Sequence, residues 1–282
     1  MKRDEPRAGS VTRMISPAAL ALGAMLAAAP ADAIGFNRGG EEPIAIEAEE
    51  GIEWQSEQKV YIARGNARAT QGELTVAAAT LTAHYRESEV GETVIYRLEA
   101  AGDVLIVSDT ERASGENAVY DVDNGVLVLT GKEVNYETAK ERISADKSLE
   151  YWERRQLAVA RGNAVAVQDN KTLRADVISA HLREDAAGKL EMYRVEAFEN
   201  VEVATPTEVA RARYGNYDVK TGIATLSGSV KLTKGKSQLN GEFAEVNLNT
   251  GVSRLLSSAQ KAGAAPRRVF GLFSPKEKPT SP

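Results

Sequence analysis

Hydrophobic and polar residues alternate with a period of two through most of the chain after about residue 44. Between residues 97 and 106, charged side chains occupy one face of such a strand, and the other face carries Leu98, Ala100, Gly102, Val104 and Ile106. This period is typical of β-strands with one apolar face. No comparable stretch has the spacing of an amphipathic helix. The pattern predicts an all-β protein with some twelve to sixteen short strands over residues 44–256.

The strand pattern occurs twice, at a separation of 97 residues. Residues 60–131 align with residues 157–228 without a gap, and 28 of these 72 positions are identical, whereas chance would give roughly one in fifteen. Residues 239–256 resemble the opening of a third copy. We therefore expect one domain over residues 34–256, with repeats at 44–140 and 141–237 and a partial repeat at 238–256. A fixed long period favours a modular or solenoid-like stack.

Turn sequences with glycine at their third position separate these strands, at residues 123–125, 220–222 and 249–251. Such sequences favour tight hairpins, because glycine adopts the positive φ that they require. A row of hairpin-connected strands with one apolar face can roll into an open, flattened tube. The candidate ligand-binding residues inside it are Val104, Ile106, Val201, Val203, Leu226, Val230 and Leu232. Small side chains favour an elongated slot, and a tightly closed interior is the alternative.

Both ends of the chain differ in composition from the strand-rich part. Residues 1–33 have a basic start, an uncharged apolar stretch from Met14 to Ala29, and a small-residue ending at Ala33. These features predict a cleaved signal peptide and an exported protein, and an uncleaved membrane anchor is the alternative. Residues 257–282 are rich in proline and predict a disordered tail with one apolar island at residues 269–273.

Composition argues against several functions. The chain has 35 basic and 40 acidic residues, a balance that disfavours nucleic-acid binding. It has no cysteine and two histidines, His84 and His181, which fall at equivalent repeat positions and predict a structural role. Residues 121–125 only partly match a calcium loop, since the glycine comes one position early. No hydrolase, metalloprotease or nucleotide-binding motif occurs, so we expect no catalytic residue, metal or cofactor.

Several recurring motifs resemble those of the OstA-like periplasmic proteins of lipopolysaccharide export. They are the Gly-Asn/Asp-Val-type turns at residues 65–67, 102–104, 199–201 and 228–230, the Ala-Asp-x-x-x-x-Tyr-like strands at 145–151 and 175–181, and the Tyr-Asp-x-x-x-Gly hairpins. The resemblance spans residues 44–256. It implies a non-enzymatic periplasmic protein with a β-jellyroll fold. Its slot would bind the acyl chains of lipopolysaccharide and pass the lipid from the inner to the outer membrane.

The resemblance also implies protein partners, namely an inner-membrane anchor protein and an outer-membrane translocon. A rolled row of strands has two free edges, expected near residues 44–49 and 238–248, where like domains could pair head to tail. One alternative is a right-handed β-helix enzyme acting on a polysaccharide, which would need paired carboxylates on one face. Another is a membrane-anchored OstA-like component of the same export system.

Overall fold

The part of the chain that the structure describes is almost entirely β-strand. The computed structural model describes residues 43–185, 190–247, 249–250, 252–256 and 269–272. The strands in these ranges are β1 (Ala45–Glu47), β2 (Gly51–Gln55), β3 (Val60–Gln71), β4 (Leu74–Glu87), β5 (Thr93–Val107), β6 (Glu111–Asp121), β7 (Val126–Thr130), β8 (Val134–Thr138), β9 (Glu141–Ala145), β10 (Ser148–Trp152), β11 (Leu157–Gln168), β12 (Lys171–Glu184), β13 (Leu190–Ala204), β14 (Glu208–Asp218), β15 (Ile223–Lys234), β16 (Ser237–Asn247), β17 (Val252–Leu256) and β18 (Phe270–Leu272). A 3₁₀ turn at Glu153–Arg155 precedes β11. The all-β prediction is confirmed, although several strands are long, with 15 residues each in β5 and β13. In the described ranges, no helix has the length and apolar character needed to cross a membrane.

The strands form an open antiparallel row. Neighbours in sequence pair from β3 to β6 and again from β11 to β16. Between these runs, the two halves of β6 pair separately with β7 and β8. The ladder then passes through β10 and β9 to β11. Because every pairing in the described part is antiparallel, the right-handed β-helix alternative, which requires parallel strands, is wrong.

A line of two-residue bulges folds this row into two facing sheets. Gly65 and Asn66 both have positive φ, 78° and 44°, and the same conformation recurs at residues 102–103, 162–163, 199–200 and 228–229. The ladder register shifts at each of these sites. The motifs that resemble turns in the sequence are therefore bulges inside β3, β5, β11, β13 and β15, and the continuous strand predicted over residues 97–106 is part of β5. A bulge bends its strand without ending it, and we call this line of bends the corner.

The corner divides each long strand between two sheets. The first sheet contains β2, β7, β10, β17 and the strand halves that pair with them. The second sheet contains β1, β8, β9, β18 and the remaining halves. The sheets diverge from the corner toward two outer rims of hairpin turns, which we call the lips. This arrangement is the open, rolled β-jellyroll that the sequence predicts.

The 97-residue repeat is present in the structure down to individual hydrogen bonds. Strands β3 and β11 have equal lengths and begin 97 residues apart, as do β4 and β12. At the first bulge, Asn66 Nδ2 donates to Glu49 Oε2 at 2.8 Å. In the second copy, Asn163 Nδ2 donates to Asp146 Oδ2 at 2.7 Å. Each hydrogen bond ties a left-handed residue to the segment that crosses the corner beside it.

Two of the predicted hairpins are closed by aspartate side chains. In the β6–β7 turn, Asp121 accepts hydrogen bonds from the backbone N–H and side-chain amide of Asn124, at 2.9 and 2.7 Å. These hydrogen bonds lower the pKa of Asp121. In the β14–β15 turn, Asp218 accepts from the backbone and hydroxyl of Thr221, both at 2.8 Å. At residues 121–125, the candidate calcium loop, the Asp121 carboxylate is therefore hydrogen-bonded within the turn. The Asp123 carboxylate forms an ion pair with Arg86.

The two ends of the row differ from each other. At the N-terminal end, β1 and β2 pair only with β3 among the described residues, as expected for an edge. The expected C-terminal edge at residues 238–248 is wrong, because β17 and β18 both pair with β16. The disordered-tail prediction is therefore corrected at Phe270–Leu272, which form β18. The rest of the tail after Leu256, and the predicted signal peptide at residues 1–33, lie outside the described residues.

Candidate functional site

Neighbouring strands pack closely along the corner because a valine beside each of three bulges lies next to a small residue of the adjacent strand. Val104 pairs with Gly115, Val201 with Ala212, and Val230 with Gly241. A Cβ at Gly115 would lie 2.9 Å from Leu129 Cγ, so a larger residue would collide with the neighbouring strand. The same pairing in the shorter β3 and β11 joins alanine to alanine. The corner is therefore closed by close packing, and space opens only toward the lips.

The seven predicted ligand-binding residues all belong to the apolar interior. Val104, Val201 and Val230 are 1% exposed, and Ile106, Val203 and Leu226 are 3% exposed. Leu232 is partly buried and packs against the same core. Three of the seven, Val104, Val201 and Val230, directly follow bulges and lie at the corner. Their alternation is as predicted, but their contact with a ligand stays a proposal.

Two apolar cavities of the described part lie side by side between the sheets, and we call the pair the slot. One has a volume of about 190 Å³ and lies between the first and second repeats, with Tyr151 on the first sheet and Ile143 on the second. The other has a volume of about 350 Å³ and opens beside β1 and β2. Ile106 and Leu127 line both cavities, so they form the wall that the two share. An apolar slot therefore runs from the N-terminal edge into the middle of the molecule.

In the inner cavity, one group of polar side chains lies near a lip of the second sheet. Glu111 is 4% exposed, and its carboxylate accepts a hydrogen bond from the Tyr136 hydroxyl at 2.8 Å. Glu141 accepts from Gln168 Nε2 at 3.0 Å. Burial raises the pKa of the Glu141 carboxyl, because the apolar walls disfavour its charge. Burial and the nearby Glu111 carboxylate also raise the pKa of Tyr136. A ligand at this lip would meet hydrogen-bonding groups, whereas deeper positions are apolar.

The opposite wall carries a carboxylate of contrasting character. Burial alone would raise the pKa of Glu150, but hydrogen bonds from Arg161, Ser148 and Trp152 lower it overall. The Arg161 Nε to Glu150 Oε1 distance is 2.7 Å. The neighbouring Tyr151 has its pKa raised to about 12, mainly by burial. Glu150 is therefore held as a paired carboxylate on this wall.

The two histidines lie in equivalent cross-strand clusters, which agrees with their predicted structural role. His181 Nε2 lies 2.7 Å from Glu196 Oε2, and the matching His84 to Glu99 distance is 3.4 Å. Each ring also contacts a tyrosine, Tyr193 or Tyr96, with centroids about 6 Å apart. In the described ranges, no group of three or more histidine and acidic side chains is arranged to hold a metal ion.

Sequence patterns missed several residues of the slot, including Leu127, Tyr136 and Tyr151. These residues lie in β7, β8 and β10, the short strands that join the two repeats. Because β7 and β8 pair with different halves of β6, they face each other across the slot. Alternation showed that these segments have an apolar face, but only the pairing pattern places them on opposite walls.

Exposed apolar side chains concentrate at the two ends of the strand row. Twelve large hydrophobic residues are exposed in the described part, and nine of them lie in or next to β1, β2, β17 and β18. At the N-terminal edge they are Ile44, Ile46, Ile52 and Trp54, and at the C-terminal end Val252, Leu256, Val269, Phe270 and Leu272. Apolar surface gathered in this way is typical of sites that contact another molecule.

Comparison with known proteins places this slot-forming β-jellyroll among the lipopolysaccharide transport proteins. A family model described as LptA/(LptD N-terminal domain) LPS transport protein matches residues 45–147 and again residues 142–252. Together these matches cover well over half of the chain. The chain therefore belongs to this family.

Two individual proteins are also similar. An uncharacterized protein of Rhizobium meliloti (strain 1021) is 30% identical over 104 residues, which are 36% of this chain and 55% of that protein. The chain thus spans about half the length of this curated relative. The crystal structure of LptH, the LptA homologous periplasmic component of the lipopolysaccharide transport device of Pseudomonas aeruginosa, aligns with 83% of this chain and 97% of its own, at 15% identity and a TM-score of 0.22.

Proposed function

We propose that this chain is a periplasmic, non-enzymatic carrier that holds the acyl chains of lipopolysaccharide in its slot and passes the lipid from the inner to the outer membrane. The observation that carries this proposal is the pair of apolar cavities that share Ile106 and Leu127. Each exposed CH₂ group costs about 0.8 kcal/mol in water, so an acyl chain of about a dozen carbons costs on the order of 10 kcal/mol. Such a lipid needs an apolar path across an aqueous compartment. Membership of the lipopolysaccharide transport family supports this choice of ligand.

The polar lip fits the amphiphilic character of this ligand. Acyl chains would lie against the apolar walls, and the amide and hydroxyl groups at the base of the chains would lie near Glu111, Tyr136 and Glu141. The same arrangement provides no obvious reaction chemistry, because Glu111 is hydrogen-bonded to Tyr136 and Glu141 to Gln168. Binding without catalysis is the function that this geometry supports best.

We further propose that the protein joins end to end with like domains, including an inner-membrane anchor protein and an outer-membrane translocon. The junction between its own two repeats supports this arrangement. There β10 is covered by β7, with Leu149 opposite Leu129 and Tyr151 opposite Leu127. The equivalent strand β2, 97 residues earlier, has no such neighbour among the described residues. Its side chains Ile52 and Trp54 are 55% and 64% exposed.

A strand like β7, supplied by a partner, would cover Ile52 and Trp54 as β7 covers β10. It would also extend the slot beyond the cavity that opens at β1 and β2. The wall of apolar side chains would then continue from one molecule to the next. Edge pairing of this kind satisfies backbone groups and continues the sheet at the same time.

A blocking substitution tests the slot. Ala180 lines the inner cavity, and we expect Ala180→Phe to fill part of it and weaken capture of purified lipopolysaccharide at least tenfold. The matched control is Ala101→Phe, since Ala101 is exposed and the equivalent position of the second repeat already carries Phe198. Mass spectrometry of bound lipid, together with thermal unfolding of both variants, gives the measurement. Equal capture by folded Ala180→Phe, Ala101→Phe and the unmodified protein would contradict the proposal.

A further inference from the structure

The C-terminal end of the strand row is covered in two separate pieces. Strand β17 pairs with Phe243–Asn247, the part of β16 in the first sheet. Strand β18 pairs with residues 238–240 in the second sheet, through three opposed pairs: Gln238 with Leu272, Leu239 with Gly271, and Asn240 with Phe270. The chain therefore returns to its own last long strand to occupy an edge that would otherwise be free.

At the junction between the two repeats, one continuous strand, β11, occupies the place that β17 and β18 share at the C-terminal end. Residues 141–144 of β9, which lie 97 positions before 238–241, pair with Val165–Gln168 of β11. The first half of the same β11 pairs with β10. One bent strand thus covers both halves of the junction, and its bulge fixes the two halves relative to each other. At the C-terminal end, β17 and β18 divide this role, and residues 257–269 separate them in sequence.

Of these two pieces, β18 is held more weakly. Its Phe270 and Leu272 side chains are 60% and 56% exposed, so pairing buries little of their apolar surface. By contrast, Leu255 of β17 packs against the core, and its Cγ lies 2.9 Å from where a Cβ on Gly241 would be. A strand of three residues with exposed side chains belongs to the part of a structure that opens locally at low free-energy cost.

We propose that β18 is a detachable cap on the C-terminal edge, and that it leaves β16 when the N-terminal edge of a second copy of this chain docks there. This inference rests on the end-to-end assembly proposed above, and it adds that β18 regulates this assembly. The N-terminal edge fits as the occupant, because β1 is also three residues long and one of its sides is free among the described residues. Ile44 and Ile46 beside that side are both 40% exposed.

Capping of this kind weakens self-association without preventing it. A partner strand binds only the molecules whose cap is open, so the apparent affinity falls by the fraction that is open. The cap also covers edge N–H and C=O groups that would otherwise recruit strands indiscriminately. A carrier present in excess would therefore remain in short assemblies until a suitable edge displaces β18.

A disulfide lock tests the cap, and the absence of cysteine from the chain makes the test clean. Asn240 and Phe270 lie directly opposite each other, and opposed residues of antiparallel strands are close enough for a disulfide. In the chain from residue 34 to its end, we expect oxidised Asn240→Cys/Phe270→Cys to self-associate at least about tenfold more weakly than the same protein after reduction. Sedimentation velocity over a concentration series gives the affinities. The control is Arg174→Cys/Glu202→Cys, an opposed pair inside the β12–β13 ladder, for which we expect no dependence on redox state.

A second variant releases the cap. Adjacent residues of an antiparallel strand point their N–H groups to opposite sides. Phe270→Pro/Gly271→Pro therefore removes whichever donor faces β16, and we expect several-fold tighter self-association than in the unmodified chain. Equal association of the oxidised and reduced lock, or no gain in the proline variant, overturns the cap. Lipopolysaccharide capture by the same preparations reports separately on the slot, so failure of the cap and failure of the proposed carrier function are distinguishable.

Discussion

Val104 lies directly opposite Gly115 at the corner, where β5 and β6 bend together. The two residues are neighbours in one ladder, and Val104, which is 1% exposed, fills the space beside the glycine. A Cβ on Gly115 would lie 2.9 Å from Leu129 Cγ and 3.0 Å from the Thr130 carbonyl oxygen. The backbone oxygen cannot turn away as the end of a side chain can. The close packing of the corner at Gly115 therefore depends on the absence of one methyl group.

Substitution of Gly115 by alanine should be costly for this reason. We expect Gly115→Ala to lower the free energy of unfolding by about 1–3 kcal/mol, the usual range for overpacking. The matched control is Gly215→Ala in β14, where the nearest atom to a new Cβ is Leu226 Cδ2 at 3.3 Å. Urea unfolding of both variants measures the difference. An equal effect at the two glycines would show that the corner is not tightly packed at Gly115.

The left-handed residues of the bulges provide a second test. Asn163 has a φ of 45° and donates a hydrogen bond to Asp146. Asn163→Gly loses the hydrogen bond but also removes the Cβ from the left-handed region, whereas Asn163→Ala loses the same hydrogen bond and keeps a Cβ there at a cost of roughly 1–2 kcal/mol. We therefore expect the alanine variant to be the less stable of the two by chemical denaturation. If glycine destabilises as much as alanine, the bulge conformation is not the source of the cost.

The sequence was sufficient to predict the strands, the repeat and the hairpins, because each has a local signal. Alternation identifies the apolar face that contains Val104 and Val201, and the aspartate-to-glycine turns identify the chain reversals after β6 and β14. The Gly-Asn/Asp-type motifs mark the bulged residues, but in the sequence they resemble turns. A Gly-Asn pair adopts positive φ in either setting, and only the pairing on both sides of it decides between a turn and a bend.

The slot was less predictable because it depends on contacts that are distant in sequence. Glu111 and Tyr136 are 25 residues apart, and their hydrogen bond forms because β6 and β8 pair in the second sheet. The capping of β16 was missed for the same reason. The apolar island at residues 269–273 was visible in the sequence, but its position beside Gln238–Asn240 is not encoded in any local pattern.

The two carboxylates on opposite walls of the slot should respond oppositely to neutralisation. The pKa of Glu141 is raised by burial, so its charged form opposes folding at pH values above that raised pKa. Despite a raising contribution from burial, hydrogen bonds lower the pKa of Glu150, so its charged form favours folding. At neutral pH we expect Glu141→Gln to raise the thermal midpoint and Glu150→Gln to lower it. Differential scanning fluorimetry across a pH series measures both.

The pH dependence follows from the direction of each shift. As pH falls through the raised pKa of Glu141, the carboxyl protonates and the gain from Glu141→Gln disappears. The loss from Glu150→Gln should persist down to the ordinary glutamate pKa of about 4.3 and disappear only as pH falls through the lowered value. The two variants serve as controls for each other, and effects of the same sign at neutral pH would contradict the opposite shifts in the pKa values of Glu141 and Glu150.

The N-terminal edge gives the last test, which concerns assembly. Trp54 projects from β2 with 64% of its surface exposed, although its indole N–H donates to the Tyr85 hydroxyl at 2.7 Å. We expect Trp54→Lys to weaken end-to-end association strongly, because lysine on an edge strand opposes pairing with another sheet. Circular dichroism should remain unchanged, since the core does not include Trp54. Proline at Val246 is the contrasting case. Val246 pairs with Ala224 on one side and Ser253 on the other, so Val246→Pro should disrupt the ladder and unfold the C-terminal strands instead of only blocking a partner. Unchanged sedimentation of Trp54→Lys beside the unmodified chain would exclude β2 from the interface.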